Sequence, residues 1–131
     1  MRLLLDTHIA IWTILDDPHL STQARALTTD PANEVHVSAA SLWEIAIKHA
    51  LNRHGRADMP FSARQALFYF KLARFRILAI TDDHAIGVET LPLLHGDPFD
   101  RLIVAQALGE PMRLLTHDKA VAAYSDTIIA V

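Results

Sequence analysis

The chain has 131 residues, 51% hydrophobic and 21% charged, with a formal net charge of −3 and no cysteine. That size suits one compact domain spanning residues 1–131, with enough apolar content for a buried core, which excludes a disordered chain. The absence of cysteine excludes a disulfide framework, a thiolate zinc site and a cysteine nucleophile.

The first apolar run, Leu3-Leu4-Leu5, is closed by Asp6 and reads as a short buried strand over Arg2–Leu5. Helical spacing follows over Ile9–Leu15 and Thr22–Thr29. A second strand is expected at Glu34–Ser38. A helix over Ala39–Asn52 is expected to turn Trp43, Ile47, Ala50 and Leu51 to the core. Ser62–Arg74 repeats the helical pattern through Ala63, Ala66, Leu67 and Phe70. A strand at Arg76–Ile80 and a short helix at Asp83–Leu91 come next. Phe99, Leu102, Ile103 and Ala107 mark a helix over Phe99–Leu108, and strands at Met112–Thr116 and Thr127–Val131 bracket a turn at Lys119–Tyr124. Strands separated by one or two helices predict an α/β fold with a central parallel sheet. The early charge at Asp6 is incompatible with a signal peptide, and no apolar run approaches a bilayer span, so a cytoplasmic protein with no membrane partner is the expectation.

Charge is unevenly distributed. Residues 48–76 carry Lys48, Arg53, Arg56, Arg64, Lys71, Arg74 and Arg76 against Asp58 alone, while the remainder is acidic. Such a division suits either an ordinary solvated helical surface or a polyanion-binding face beside an acidic pocket.

The acids have two readings. Asp6, at the tip of the first strand, can cap the next helix. Asp97-Pro98 forms a cap followed by proline at the first helical position, with Asp100 in the first turn. Asp118, after the strand ending at Thr116, can cap the final turn. Glu44 lies on a stripe with Ser41 and Lys48 and can pair with Lys48. Yet functional sites of parallel sheets lie beyond the strand C-termini, and the expected topology gathers Asp6, Asp97, Asp100 and Asp118 there, with Glu44 within reach. Crowded carboxylates repel and raise one another's pKa unless a cation lies among them. Oxygen ligands suit Mg²⁺ or Mn²⁺, ions that activate water for attack on phosphorus.

The blocks Leu5-Asp6-Thr7-His8, Ser38-Ala39-Ala40-Ser41-Leu42-Trp43-Glu44-Ile45-Ala46-Ile47-Lys48, His95-Gly96-Asp97-Pro98-Phe99-Asp100-Arg101 and Leu115-Thr116-His117-Asp118 resemble the PIN domain. More narrowly, they are similar to VapC-like toxins of type II toxin–antitoxin pairs, along essentially the whole chain. The resemblance implies a three-layer α/β/α domain with a five-stranded parallel sheet in the order 3-2-1-4-5. It also implies a metal-dependent endoribonuclease leaving 5′-phosphate and 3′-hydroxyl ends. Asp6, Glu44, Asp100 and Asp118 then match the catalytic and metal-binding acids, the last often acting through water. Asp97 is an additional ligand, a supporting group or a cap. Thr7, Thr116, Arg101 and Lys48 are the supporting or substrate-contacting residues. The implied cofactor is Mg²⁺ or Mn²⁺, and the implied partners are RNA, an antitoxin protein and a second toxin copy. Aromatic residues Phe61, Phe68, Tyr69, Phe70 and Phe75 divide between core and interface. The family's frequent Leu-Gly-Arg after the glutamate helix is replaced by Leu51-Asn52-Arg53-His54-Gly55-Arg56, so RNA specificity does not carry over.

Three other readings compete. His8, His95 and His117 flank the acids, but no His-x-x-x-His pair supports a zinc site. Asp82-Asp83 imitates a receiver phosphoacceptor, although Lys119 stands one step too far along. A catalytically inactive RNA- or antitoxin-binding module is the non-enzymatic alternative, against which the complete set of acids argues.

Overall fold

The computed structural model describes residues 1–52, 55 and 58–131. Arg53 and Arg56 of the basic segment, and with them half of the stretch 51–56 that departs from the family pattern, lie outside them.

Five strands, β1 (Arg2–Leu5), β2 (Glu34–Ser38), β3 (Arg76–Leu78), β4 (Arg113–Thr116) and β5 (Ile129–Ala130), form one sheet in the order β3-β2-β1-β4-β5. Every pairing is parallel. The expected α/β fold with a five-stranded parallel sheet is therefore the observed one. Leu3, Leu4 and Leu5 are all fully buried, as required of the central strand of a sheet covered on both faces. Their alternation divides the core. Leu3 and Leu5 join Val35, Val37 and Leu115 beneath α1 (Thr7–Leu15), α2 (Thr22–Thr29) and α4 (Ala63–Leu72). Leu4 joins Leu114, Ile103, Val104 and Ala107 beneath α6 (Pro98–Gly109) and α7 (Lys119–Ala122). The short α5 (Asp82–Gly87) packs beside α6.

Helix α3 (Ala39–Asn52) differs from expectation. Trp43, Ile47 and Ala50 are exposed, and the buried residues are Ala40, Ser41, Glu44 and Ile45. Helix α3 follows directly from β2, with Ile45 in one apolar cluster and Ala40 in the other. That placement turns the polar Ser41–Glu44 stripe inward, while Trp43 meets Phe99 of α6 edge to face at 4.9 Å. In α6 the buried stripe is Ile103, Val104, Ala105, Gln106 and Ala107, with Phe99 and Leu102 only half-buried.

The expected Asp83–Leu91 helix also stops early. It ends at Gly87 and continues as a 3₁₀ turn over Val88–Thr90. Pro92 drives Leu91 into extended backbone at ψ 137°, which ends helical winding. Strands β3 and β5 are shorter than expected because each is an edge strand with one neighbour. Of the aromatics, Phe61, Phe70 and Phe75 are core, while Phe68 and Tyr69 are exposed.

Helix α4 closes in a Schellman turn. Phe75 N–H donates to Phe70 O at 2.9 Å, and the two rings stack across the turn. The intervening residue is Arg74, at φ 65°, a position where glycine avoids a Cβ clash. Arg74→Gly is expected to stabilise the fold by about 1 kcal/mol, read as a rise in the urea midpoint. An unchanged or lowered midpoint would show that the arginine side chain offsets the backbone strain.

Candidate active site

The strand register sets Leu5 beside Val37 on one side and Leu115 on the other. Asp6 thus leaves the sheet next to Thr116. Its Oδ1 accepts the Ile9 N–H at 2.9 Å as the cap of α1, and its Oδ2 accepts the Thr116 hydroxyl at 2.5 Å. Thr116 Oγ1 also accepts the Asp118 N–H at 3.0 Å. One buried hydroxyl therefore ties together two strand-end acids. Thr7 and Ser41 join the tip of β1 to α3 through a buried hydroxyl pair at 2.9 Å.

Glu44 is buried, and its Oε2 accepts the Lys48 ammonium at 2.7 Å. The expected ion pair exists, but it satisfies one oxygen. Oε1 is buried with no hydrogen-bond partner. A buried carboxylate oxygen without a donor is costly, and it leaves Glu44 able to accept a further donor or a cation.

Asp97 caps α6 by accepting the Phe99 and Asp100 N–H groups at 2.8 and 3.0 Å. Pro98 begins the helix, and Asp100 falls in its first turn. Asp118 caps α7 through its Oδ1, which accepts the Ala120 N–H at 2.8 Å. His95 lies between Asp100 and Asp118, with Nε2 3.1 Å from Asp100 Oδ2 and 3.0 Å from Asp118 Oδ2. The ligand-type atoms of these three residues all lie within 4.8 Å of one another. Arg101 faces away from the carboxylates. Its guanidinium donates to the carbonyls of Val88, Leu91 and Pro92 and to Tyr124 Oη, so it anchors the loop leading to His95. The sequence marks His95 as a neighbour of the acids, but its bridging position depends on the folding of that loop.

The acids act on one another. Burial is the largest influence on Asp100, followed by the negative charges of Asp97 and Asp6, and together they push its pKa up to about 7, with Glu44 adding to the effect. Burial also raises Asp6, against the opposing hydrogen bonds from Thr116 and Ile9. At Asp118 burial is the largest single influence and raises the pKa, but the hydrogen bonds from Ala120 and His95 together with the charge of His95 outweigh it, so the pKa is lowered. An all-oxygen set of crowded acids, one with an orphaned oxygen, fits a hard divalent cation such as Mg²⁺ or Mn²⁺. Thr7 and Lys48 extend the site into a neighbouring cavity of about 420 Å³, shared with His8, Trp12 and Asp58. A larger cavity of about 710 Å³, bordered by Arg25, Arg74 and Arg76, lies instead around the N-terminal ends of β2 and β3.

Comparison with known proteins gives a consistent relationship. Residues 3–126 match the PIN domain family model. Ribonuclease VapC22 of Mycobacterium tuberculosis is 34% identical over 117 residues, covering 88% of this chain and 86% of that protein. Among solved structures, VapBC2 from Rickettsia felis bound to a promoter DNA fragment aligns over 100% of this chain and 98% of its own, with a TM-score of 0.67 at 18% identity. DNA-bound VapBC from Salmonella typhimurium aligns over 100% and 97%, with a TM-score of 0.65 at 17% identity. A toxin–antitoxin complex from Klebsiella pneumoniae aligns over 98% and 96%, with a TM-score of 0.64 at 19% identity. These structural matches establish the shared fold.

The raised Asp100 pKa has a consequence for stability. An acid that holds its proton more tightly when folded withdraws stability as pH rises from its unfolded value towards its folded one. For Asp100 that interval runs from 3.8 to about 7. In chelator, Asp100→Asn is expected to melt at a higher temperature than the parent near pH 8, with the gap closing towards roughly pH 4.5. A gap independent of pH in thermal melts would contradict the raised pKa.

Proposed function

This chain belongs to the PIN domain family, and we propose that it is a divalent-metal-dependent endoribonuclease acting as the toxin of a toxin–antitoxin pair. The observation that carries this reading is the buried, unpartnered Glu44 Oε1, on a carboxylate close enough to Asp100 for its charge, like that of Asp6, to raise the Asp100 pKa. The relationship to a protein named as a VapC ribonuclease supplies the substrate class.

Asp6, Glu44 and Asp100 would hold the ion, with Asp118 contributing directly or through water. A bound Mg²⁺ or Mn²⁺ would supply a water of lowered pKa and offset charge developing on the phosphate. The protein residues prepare that site. Thr116 orients Asp6 through its hydroxyl. Asp97 caps α6 and raises Asp100 by its charge, an arrangement that favours cation binding over two free carboxylates. Lys48 steadies Glu44 at the edge of the cavity shared with Thr7. Its ammonium is partly exposed and would meet an RNA phosphate. The exposed aromatic and aliphatic groups of α4, Phe68, Tyr69 and Leu72, suit contact with an antitoxin or with a second copy of the chain. The complexes of structurally similar VapBC proteins support an antitoxin partner. No helix among the described residues is long and apolar enough to cross a membrane, and a cytoplasmic site of action accords with an RNA substrate.

The test is RNA cleavage by the purified chain with and without Mg²⁺. Asp6→Asn and Glu44→Gln are each expected to lower the rate by at least roughly a hundredfold while keeping the native circular dichroism spectrum. Chelation is expected to stop cleavage of the parent, and added Mg²⁺ to restore it, with 5′-phosphate ends on the products. Full cleavage in chelator, or by Asp6→Asn, would overturn the assignment.

A further inference from the structure

We propose that His95 is a positioning residue for the acidic pocket, clasping Asp118 against Asp100, and that it is not itself a metal ligand. This rests on the reading of the pocket as a divalent-cation site. The proximity of His95, Asp100 and Asp118 would by itself suggest a ligand triad, but the hydrogen bonds of the imidazole lead to a different role.

The Asp97 backbone N–H points at His95 Nδ1 from 3.1 Å. A backbone N–H can only donate, so Nδ1 must accept, and the ring proton resides on Nε2. That Nε2–H lies between Asp118 Oδ2 and Asp100 Oδ2, at 3.0 and 3.1 Å. A nitrogen carrying a proton has no lone pair to give an ion, and the other ring nitrogen is occupied. Both carboxylates lie beside the same donor.

The ring is anchored through its own backbone. His95 N–H donates to Tyr124 Oη at 3.0 Å, and Tyr124 Oη accepts Arg101 Nη1 at 3.0 Å. Arg101 also holds Pro92 O at 2.9 Å. Helix α6 therefore fixes the loop that presents His95, while the cap residue of the same helix selects its tautomer. Asp118 depends on this arrangement most. It is 44% exposed, and its two oxygens are oriented by separate donors, Oδ1 by Ala120 N–H and Oδ2 by His95. Without the imidazole, one oxygen would lose its donor and the carboxylate its fixed distance from Asp100. Hydrogen-bond partners behind metal ligands set affinity in this way.

The experiment is a Mn²⁺ titration of the full chain, followed by electron paramagnetic resonance, comparing the parent with His95→Ala, His95→Gln and Tyr124→Phe. A glutamine amide can place an N–H near the position of Nε2, so it should retain the clasp. His95→Ala is expected to weaken Mn²⁺ binding by about tenfold or more, with His95→Gln within about threefold of the parent. Tyr124→Phe, which removes the hydroxyl behind the loop, should fall between them. The parent's bound Mn²⁺ should show no directly coordinated nitrogen. Unchanged or tighter binding by His95→Ala overturns the proposal, as does a glutamine variant as weak as the alanine one. A nitrogen coupling present in the parent and lost in His95→Ala would make His95 a ligand and also overturn it. Failure of the parent to bind Mn²⁺ would remove the metal reading of the pocket and the clasp with it, whereas a loss confined to His95→Ala leaves that reading intact.

Discussion

Like-charged carboxylates cannot be packed together at the edge of a folded core without compensation, and this constraint organises much of the molecule. Asp6 and Glu44 are buried, and Asp100 is sufficiently enclosed to hold its proton up to about pH 7. Each acid receives a partial answer from its surroundings: a hydroxyl and a helix N-terminus for Asp6, an ammonium for Glu44, an imidazole N–H beside Asp100 and Asp118. At Glu44 the answer is incomplete, since one of its oxygens has no partner. Under the proposed reading, a hard divalent cation such as Mg²⁺ would supply the positive charge these carboxylate oxygens lack.

The parallel sheet concentrates the acids through its polarity. All five strands run in one direction, so the chain leaves β1 and β4 at the same edge, bringing Asp6 and Asp118 onto it. Helices begin just beyond, where exposed N–H groups favour acceptors. Asp6, Asp97 and Asp118 each cap a helix with one oxygen. For Asp6 and Asp118 the other oxygen meets a side-chain donor within the site. Capping and chemistry are therefore compatible uses of one side chain. Of the two readings of these acids available from the sequence, the hydrogen bonding realises the capping one and leaves the second oxygen of Asp6 and of Asp118 to side-chain partners.

Much of this was legible before the fold was known. The apolar triplet Leu3-Leu4-Leu5, the Asp97-Pro98 helix start and the alternation of strands and helices carry local signals that need no distant partner. Helix α3 shows where such reasoning stops. Its apolar residues suggested a core face through Trp43 and Ile47, yet Glu44 and Ser41 are inside. Periodicity reports which residues share a face, whereas the neighbours on each side decide which face is covered. Arg101 is similar: a guanidinium next to a carboxylate in sequence invites an ion pair, but the carbonyls of the preceding loop surround it instead.

By itself, the sequence determined the kind of fold, the C-terminal ends of β1, β2 and β4 and the acids that follow β1 and β4, because caps, prolines and buried apolar runs act over a few residues. Tertiary structure alone decided that one Glu44 oxygen lacks a donor, that a single Thr116 hydroxyl serves both Asp6 and Asp118, and that His95 faces two carboxylates through a nitrogen whose proton is assigned by Asp97. Those features join groups up to 110 positions apart in the chain. Hydrogen-bond satisfaction is a property of the space around an atom, and that space is created only when distant segments pack together.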